Sequence, residues 1–305
     1  MNAAVRADLS TDTMPESGLY ADGGDHPWLP PQLYHKSSRL SRSALVTLLR
    51  STPAHFAYER GHAVEATDAM VRGDAIHAAV LEPERFATEY LLPPSHMDRR
   101  LKADKELWAA LEAEAVSTGK RLLQPSHVEP VTEIARAVRE HPALRDILRG
   151  PGLTEASAAW ETDDGVALRC RPDRAFQDQG GEAWLMDLKS ADGEAAASPE
   201  AFARQIAQRR LHVQAALYCT GMTAATGTPH ERFGFIVYEV QPPYACAVYR
   251  LEDDAIAQGR SEIAEALHTY RACRDADRWP DYAGDGDVRL IGLPRWYARA
   301  GDDAA

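Results

Sequence analysis

Residues 166–190 read VALRCRPDRAFQDQGGEAWLMDLKS, and the reading of the whole chain turns on them. Val166, Leu168 and Cys170 alternate with Ala167, Arg169 and Arg171, the period of two expected of a strand. Pro172-Asp173 ends that run. The polar sequence Gln177-Asp178-Gln179-Gly180-Gly181 predicts a turn, and Ala183-Trp184-Leu185-Met186 opens a second, more uniformly apolar strand. At its end stand Asp187, Leu188 and Lys189. On a strand, Asp187 and Lys189 share one face while Leu188 points to the other. Pairing the two strands as a hairpin would bring Asp173 near Asp187, so that two carboxylates and one ammonium converge at the rim of a sheet.

That set suits metal-assisted phosphodiester hydrolysis. Hard divalent cations take carboxylate oxygens, and two such ions can clamp the attacking and leaving oxygens of an in-line displacement. A lysine beside them can orient or deprotonate water, or offset charge in the transition state. The same Asp-x-Lys at a strand end is also the pattern of a solvated edge or a surface ion pair, so the surrounding sequence has to decide.

The 305 residues fit one large domain or two ordinary ones, and at 45% hydrophobic residues there is material for a core. No apolar run approaches the roughly 20 residues that span a bilayer, and the N-terminus lacks the pattern of a signal peptide. A cytoplasmic protein with no membrane association is expected. The four cysteines, Cys170, Cys219, Cys246 and Cys273, have no metal-ligand spacing and read as buried thiols. A net charge of −12 argues against indiscriminate coating of DNA but leaves room for a local basic channel.

Residues 1–36 lack periodicity and predict a disordered or loosely docked arm. Residues 37–305 are expected to form a single domain: a helical part over 37–150, a catalytic sheet with helices over 151–275, and a tail over 276–305. Short helices are predicted after Ser41 and from Pro53 to Arg60. A helix over Met70–Pro83 would bury Met70, Gly73, Ile76, Ala79 and Val80, with His77 at the core boundary. The helix over 102–117 would bury Leu107, Trp108, Leu111 and Ala115. One from Ser126 to Glu140 would bury Val131, Ile134, Ala135 and Val138. A strand is expected over Thr154–Thr162, with Glu161 on its outer face. The helix over Pro199–Arg210 carries Arg204, Arg209 and Arg210, candidate phosphate contacts if they lie beside the site. In the helix that begins at Leu211, Gln214 and Tyr218 share a face. Two more strands, Phe233–Val240 and Tyr244–Leu251, and a helix over Asp253–Cys273 complete the expected elements.

Four motifs, Gly73…His77, Pro172-Asp173, Asp187-Leu188-Lys189 and Gln214…Tyr218, occur in this order. Together they resemble the PD-(D/E)xK nuclease superfamily, in particular RecE-like nucleases (exodeoxyribonuclease VIII) and the RecB-type nuclease domain. The entry segment SRSALVTLLRSTPAHFAYER and the tail motifs WPDY (Trp279–Tyr282) and LPRWY (Leu293–Tyr297) also resemble RecE-like members, so the resemblance spans about Leu40 to Tyr297. It implies an α/β fold with a mixed central sheet flanked by helices. It further implies that Asp173, Asp187 and the Leu188 carbonyl hold Mg²⁺, with Mn²⁺ as a substitute, and that His77 completes or adjoins the metal site. Lys189 would act on the water, and Gln214 and Tyr218 would support the phosphate. Finally, it implies attack on linear double-stranded DNA from its 5′ ends, leaving 3′ strands for a RecT-like single-strand annealing protein in phage-type recombination, and homo-oligomeric assembly. Two rivals stand beside it. One is a nuclease of the same superfamily with an iron–sulfur cluster held by four cysteines; the other is a non-catalytic DNA-end-binding or assembly protein that keeps the fold.

Overall fold

The computed structural model describes residues 17–22, 26–27, 29–62, 67–282 and 288–294. In chain order the elements are β1 (Gly18–Tyr20), α1 (Pro31–Lys36), α2 (Arg42–Arg50), α3 (Pro53–Gly61), α4 (Asp68–Leu81), α5 (Pro83–Glu89), β2 (Tyr90–Leu91), α6 (Lys102–Thr118), β3 (Arg121–Leu122), α7 (Pro125–Glu140) and α8 (Arg145–Arg149). They continue with β4 (Leu153–Thr154), β5 (Ser157–Glu161), β6 (Ala167–Cys170), β7 (Arg174–Gln177), β8 (Ala183–Ala191), α9 (Pro199–Arg209), α10 (Leu211–Thr226), β9 (Arg232–Glu239), β10 (Cys246–Arg250) and α11 (Asp253–Asp275). This is the expected α/β fold with a mixed sheet between helices.

The expected pairing of the two runs that carry Asp173 and Asp187 needs correction. β6 pairs with β5, not with β8, and belongs to a three-stranded sheet of order β1-β5-β6. Pro172 has no N–H to give to a ladder, so the chain leaves that sheet there. It enters the five-stranded sheet, of order β10-β9-β8-β7-β4, as the short strand β7. The hairpin partner of β8 is therefore β7, with Ala175 opposite Leu185 and Gln177 opposite Ala183. Its turn is tied by Asp178, whose Oδ1 accepts from the N–H groups of Gly180 and Glu182, while Gly181 supplies a positive φ of 79°.

β8 is central. It runs parallel to β9 across the α9–α10 crossover, and β10 returns antiparallel at the edge. Its apolar side chains alternate between two cores: Leu185 and Ala191 pack toward α2, α10 and α11, whereas Met186 and Leu188 pack toward α4 and α7. Burial on both faces is why the segment reads as a nearly continuous apolar run.

Other expectations fare unevenly. α7 buries Val131, Ile134, Ala135 and Val138 as read. On α4 burial starts only at Ala75, leaving Met70 half exposed. α6 buries Trp108 alone, stacked under the Arg99 guanidinium, and exposes Leu107, because the helix lies outside both main cores. The strand expected over 154–162 is broken at Glu155. Its φ of 51° turns the chain from β4, in one sheet, to β5, in the other.

The loose arm is also corrected where it is described. β1 adds to the edge of β5, and Leu29 and Tyr34 pack with Tyr20 on Ala159. Three anchors spaced five to nine residues apart, Tyr20, Leu29 and Tyr34, make no periodic pattern from which this docking could be read. Residues 1–16 lie outside the described residues, as do Arg295–Tyr297 of the LPRWY motif, whereas Trp279 of WPDY stacks on Phe56.

α10 is buried nearly all round and rests on α11 at Gly259, where a Cβ would overlap the His212 carbonyl and the Ala216 side chain. A backbone carbonyl inside a helix cannot yield. Gly259→Ala is expected to destabilise the protein by about 1–3 kcal/mol, read as a lower urea midpoint at unchanged slope.

Candidate active site

The sheet switch at Pro172 puts Asp173 at the head of β7, alongside the end of β8. Its Oδ2 accepts from the Leu188 N–H at 2.6 Å, so the first carboxylate is tied to the backbone of the second motif. Asp187 is 2% exposed. Its Oδ1 accepts from Gln214 Nε2 at 2.6 Å, and its Oδ2 forms an ion pair with the Lys189 ammonium. Leu188 between them points into the opposite core, as the strand period requires.

His77, on α4, sets Nδ1 3.6 Å from Asp173 Oδ2 and 3.9 Å from Glu155 Oε1. Glu155 was not among the residues singled out in the sequence, and Glu161 was placed on an outer face. Glu161 is exposed, whereas Glu155 is half buried and its N–H donates to the Asp173 carbonyl. The available signal was a single acidic residue inside the apolar run Leu153–Trp160. His77, Glu155 and Asp173 can each offer a ligand atom within 4.8 Å of the others, and they form the group of metal-binding size found among the described residues. Asp187 is not in that group, its oxygens being turned to Gln214 and Lys189.

The electrostatics follow from burial and crowding. Asp173 is raised above the usual carboxylate range, by burial first and by the charge of Asp187 second, against the pull of His77 and Lys189. At His77 burial alone would lower the pKa, but Asp173, Glu155 and Asp187 outweigh it and raise the imidazole to about 9. These two shifts compete, since a charged imidazole favours an ionised Asp173. The pair titrates as a unit, and an imidazolium facing carboxylate is the form that the geometry favours. His77 must then lose its proton before it can ligate a cation.

Gln214 reaches Asp187 itself, so it orients a carboxylate. Tyr218, one turn further along α10, lines a cleft of about 1330 Å³ with His77, Glu155 and Asp173. Its hydroxyl is held well above its ordinary pKa, by burial first and then by Tyr34 and Asp187, and stays a neutral donor. The three arginines of α9 diverge. Arg209 donates to the Ser190 carbonyl at 3.2 Å, next to Lys189, whereas Arg204 is simply exposed. Arg210 is committed to an ion pair with Glu262 on α11 and is corrected as a free phosphate contact. Arg42, unnoticed in the sequence, donates to the Arg209 carbonyl, and burial lowers its pKa against the pull of the Asp187 charge.

Over residues 41–289 the sequence matches the family described as a PDDEXK-like domain of unknown function (DUF3799). The chain belongs to this PDDEXK-like family. The assignment places it in the PD-(D/E)xK nuclease superfamily, as the four motifs suggested. A solved protein of Eubacterium rectale assigned as an exonuclease is 10% identical, with a TM-score of 0.54 over 87% of this chain and 94% of its own, which supports a shared fold. An alkaline exonuclease of Laribacter hongkongensis is 16% identical over 67% of this chain and 98% of its own, but with a TM-score of 0.23 it superposes too loosely to bear on the argument. No curated protein matches in sequence. The four cysteines of this PDDEXK-like protein sit on four different elements as free thiols, and none enters the metal-sized group. No described helix is long and apolar enough to cross a membrane.

Proposed function

We propose that this PDDEXK-like protein is a metal-dependent deoxyribonuclease acting on the ends of linear double-stranded DNA. The observation that carries the reading is the pair of buried carboxylates, Asp173 and Asp187, joined through the Leu188 N–H, with Lys189 against one and His77 and Glu155 against the other. Crowded buried carboxylates are costly unless a cation offsets them. The donor set is all oxygen plus one imidazole, which fits a hard divalent ion such as Mg²⁺, with Mn²⁺ as a substitute. Asp173, Glu155 and His77 would hold one ion, and Asp187 with the Leu188 carbonyl would contribute from β8. When bound, such an ion supplies charge to the phosphoryl oxygens and lowers the pKa of water.

The chain's own residues supply the rest. Lys189, held by Asp187, would orient the attacking water or offset charge on the pentacovalent phosphate. Gln214 fixes the orientation of the Asp187 carboxylate through its Oδ1. Tyr218 offers a neutral O–H toward the cleft, and Arg209 with Arg42 brings positive charge to the end of β8.

The resemblance to RecE-like nucleases supports 5′-to-3′ degradation, release of 3′ strands to a RecT-like annealing partner, homo-oligomeric assembly and a role in phage-type recombination. The negative net charge supports end-threading over binding along the duplex. With Mg²⁺, the protein is expected to release nucleotides from a 5′-labelled linear duplex and to spare covalently closed circles. Chelation should stop the reaction. Rapid nicking of supercoiled plasmid at low enzyme would point to an endonuclease instead.

A further inference from the structure

The cleft does not end at the carboxylates. From His77, Glu155 and Asp173 it continues to a wall built by the N-terminal segment, where Tyr34, His35, Lys36 and Arg171 line it. Two guanidiniums meet the Tyr34 ring there, with Arg171 4.2 Å and Arg169 4.6 Å from its centroid. Both arginines come from β6 and its extension, on the face that alternates with the core residues Leu168 and Cys170.

Their charge is unspent. Among the described residues, the side-chain hydrogen bonds of the pair go to neutral oxygens. Arg171 donates to Ser157 Oγ at 2.6 Å and to the Leu29 carbonyl at 3.3 Å; Arg169 donates to the His35 carbonyl at 3.5 Å. Arg169 is 8% exposed, and its Nε and Nη1 have no partner. Of the acids across the cleft, Glu82 and Glu89 pair with Arg85 and Asp74 pairs with Arg121, while Glu155 acts on Arg171 through its charge without a hydrogen bond to it. Two buried or part-buried cations with no carboxylate hydrogen-bonded to either are costly in a fold unless an anion visits them. Arg171 lines the same cleft as the carboxylates, with Arg169 behind it, in a protein of net charge −12, and this indicates what the anion is.

We propose that Arg171, held over the Tyr34 ring and backed by Arg169, forms a subsite for a backbone phosphate of the nucleic-acid strand, distinct from the phosphate that is cleaved. Residues 29–36 then belong to the substrate cleft, with Lys36 at its outer lip. This rests on the nuclease reading above. Ser157 and Leu29 take the Nε and one Nη2 donor of Arg171, which leaves Nη1 and the second Nη2 proton to donate to a phosphate oxygen.

The test uses the full chain and a short fluorescent single-stranded oligonucleotide, with affinity measured in chelator across a salt series and KM and kcat measured with Mg²⁺. Arg171→Gln is expected to weaken binding about tenfold and to raise KM similarly, with kcat nearly unchanged. The slope of log affinity against log salt should fall by about 0.7, the value for one phosphate contact on a single strand. Arg171→Lys should restore the slope without restoring the affinity, which separates lost charge from a misfolded variant. Thymidine 5′-monophosphate should compete only at far higher concentration than the oligonucleotide; competition mole for mole would overturn the strand assignment in favour of a nucleotide pocket. A wild type that cleaves DNA while Arg171→Gln keeps its affinity, slope and KM would overturn the subsite alone. If the wild type neither binds nor cleaves, the nuclease reading falls, and the subsite falls with it.

Discussion

Lys189→Ala is expected to lower turnover by about 10²–10⁴-fold while the protein still binds divalent metal and DNA. The substitution leaves both carboxylates and the Asp173 tie to Leu188 in place, and removes only the ammonium held against Asp187. It also leaves the buried Asp187 without its cation, so the metal-free variant should melt lower than the wild type and recover when Mg²⁺ is added. Lys189→Arg should not rescue turnover, because a planar fork cannot take the place of a compact point charge beside Asp187. Leu188→Val, one position away, points into the opposite core and should cost only about 1 kcal/mol of packing. Single-turnover rates on one linear duplex, beside calorimetric titration of metal into each variant, measure all of this. Near-normal turnover in Lys189→Ala would make the Asp-Leu-Lys end of β8 a structural ion pair, and a non-catalytic DNA-binding protein would then be the better reading.

The parts of this arrangement that the sequence revealed are those governed by local periodicity. The alternation of β8 fixes which way Asp187, Leu188 and Lys189 point, whatever the strand is paired with. The 3.6-residue repeat puts Gln214 and Tyr218 on one side of α10. Such statements need no knowledge of neighbours. The hairpin partner of β8 did need it. β7 is only four residues long and includes Arg174, which reads as polar although it is buried with its guanidinium on the Ile147 and Gly150 carbonyls. A strand so short and so polar is recognised only once those helix-end carbonyls are known to lie above it. Glu155 was hidden for a related reason. Its place in the site depends on a positive φ in a non-glycine residue, and nothing in the surrounding residues requires that conformation. The N-terminal segment is held by anchors about five to ten residues apart, a spacing with no secondary-structure period. Arg210 illustrates the converse case. The sequence offered it as a candidate phosphate contact, and Glu262, 52 positions along the chain, takes its guanidinium.

Asp173→Asn should abolish turnover and, in chelator, raise the melting temperature. Asp173 is raised above the ordinary carboxylate range by burial and by the charge of Asp187, which outweigh the favourable pull of His77. An acid whose folded pKa is raised destabilises the native state, by an amount that grows as pH rises from the ordinary carboxylate range to the raised value and persists above it. At neutral pH the neutral amide removes that penalty. It also keeps the shape and can still accept from the Leu188 N–H through its oxygen. The gain is offset in part by the loss of the His77 ion pair, so a net of about 1 kcal/mol is expected, or roughly 2–4 °C in a protein of this size. Metal should reverse the order of the two proteins. Wild type gains about 2.7 kcal/mol at a hundred times the dissociation constant, whereas the variant, lacking a first-sphere oxygen, should gain much less. Thermal melts of both proteins in chelator and across an Mn²⁺ series read this crossing directly. An Asp173→Asn protein that melts below the wild type in chelator and responds to Mn²⁺ to the same extent would mean that Asp173 serves to brace β7 against β8. The metal would then have to be held elsewhere.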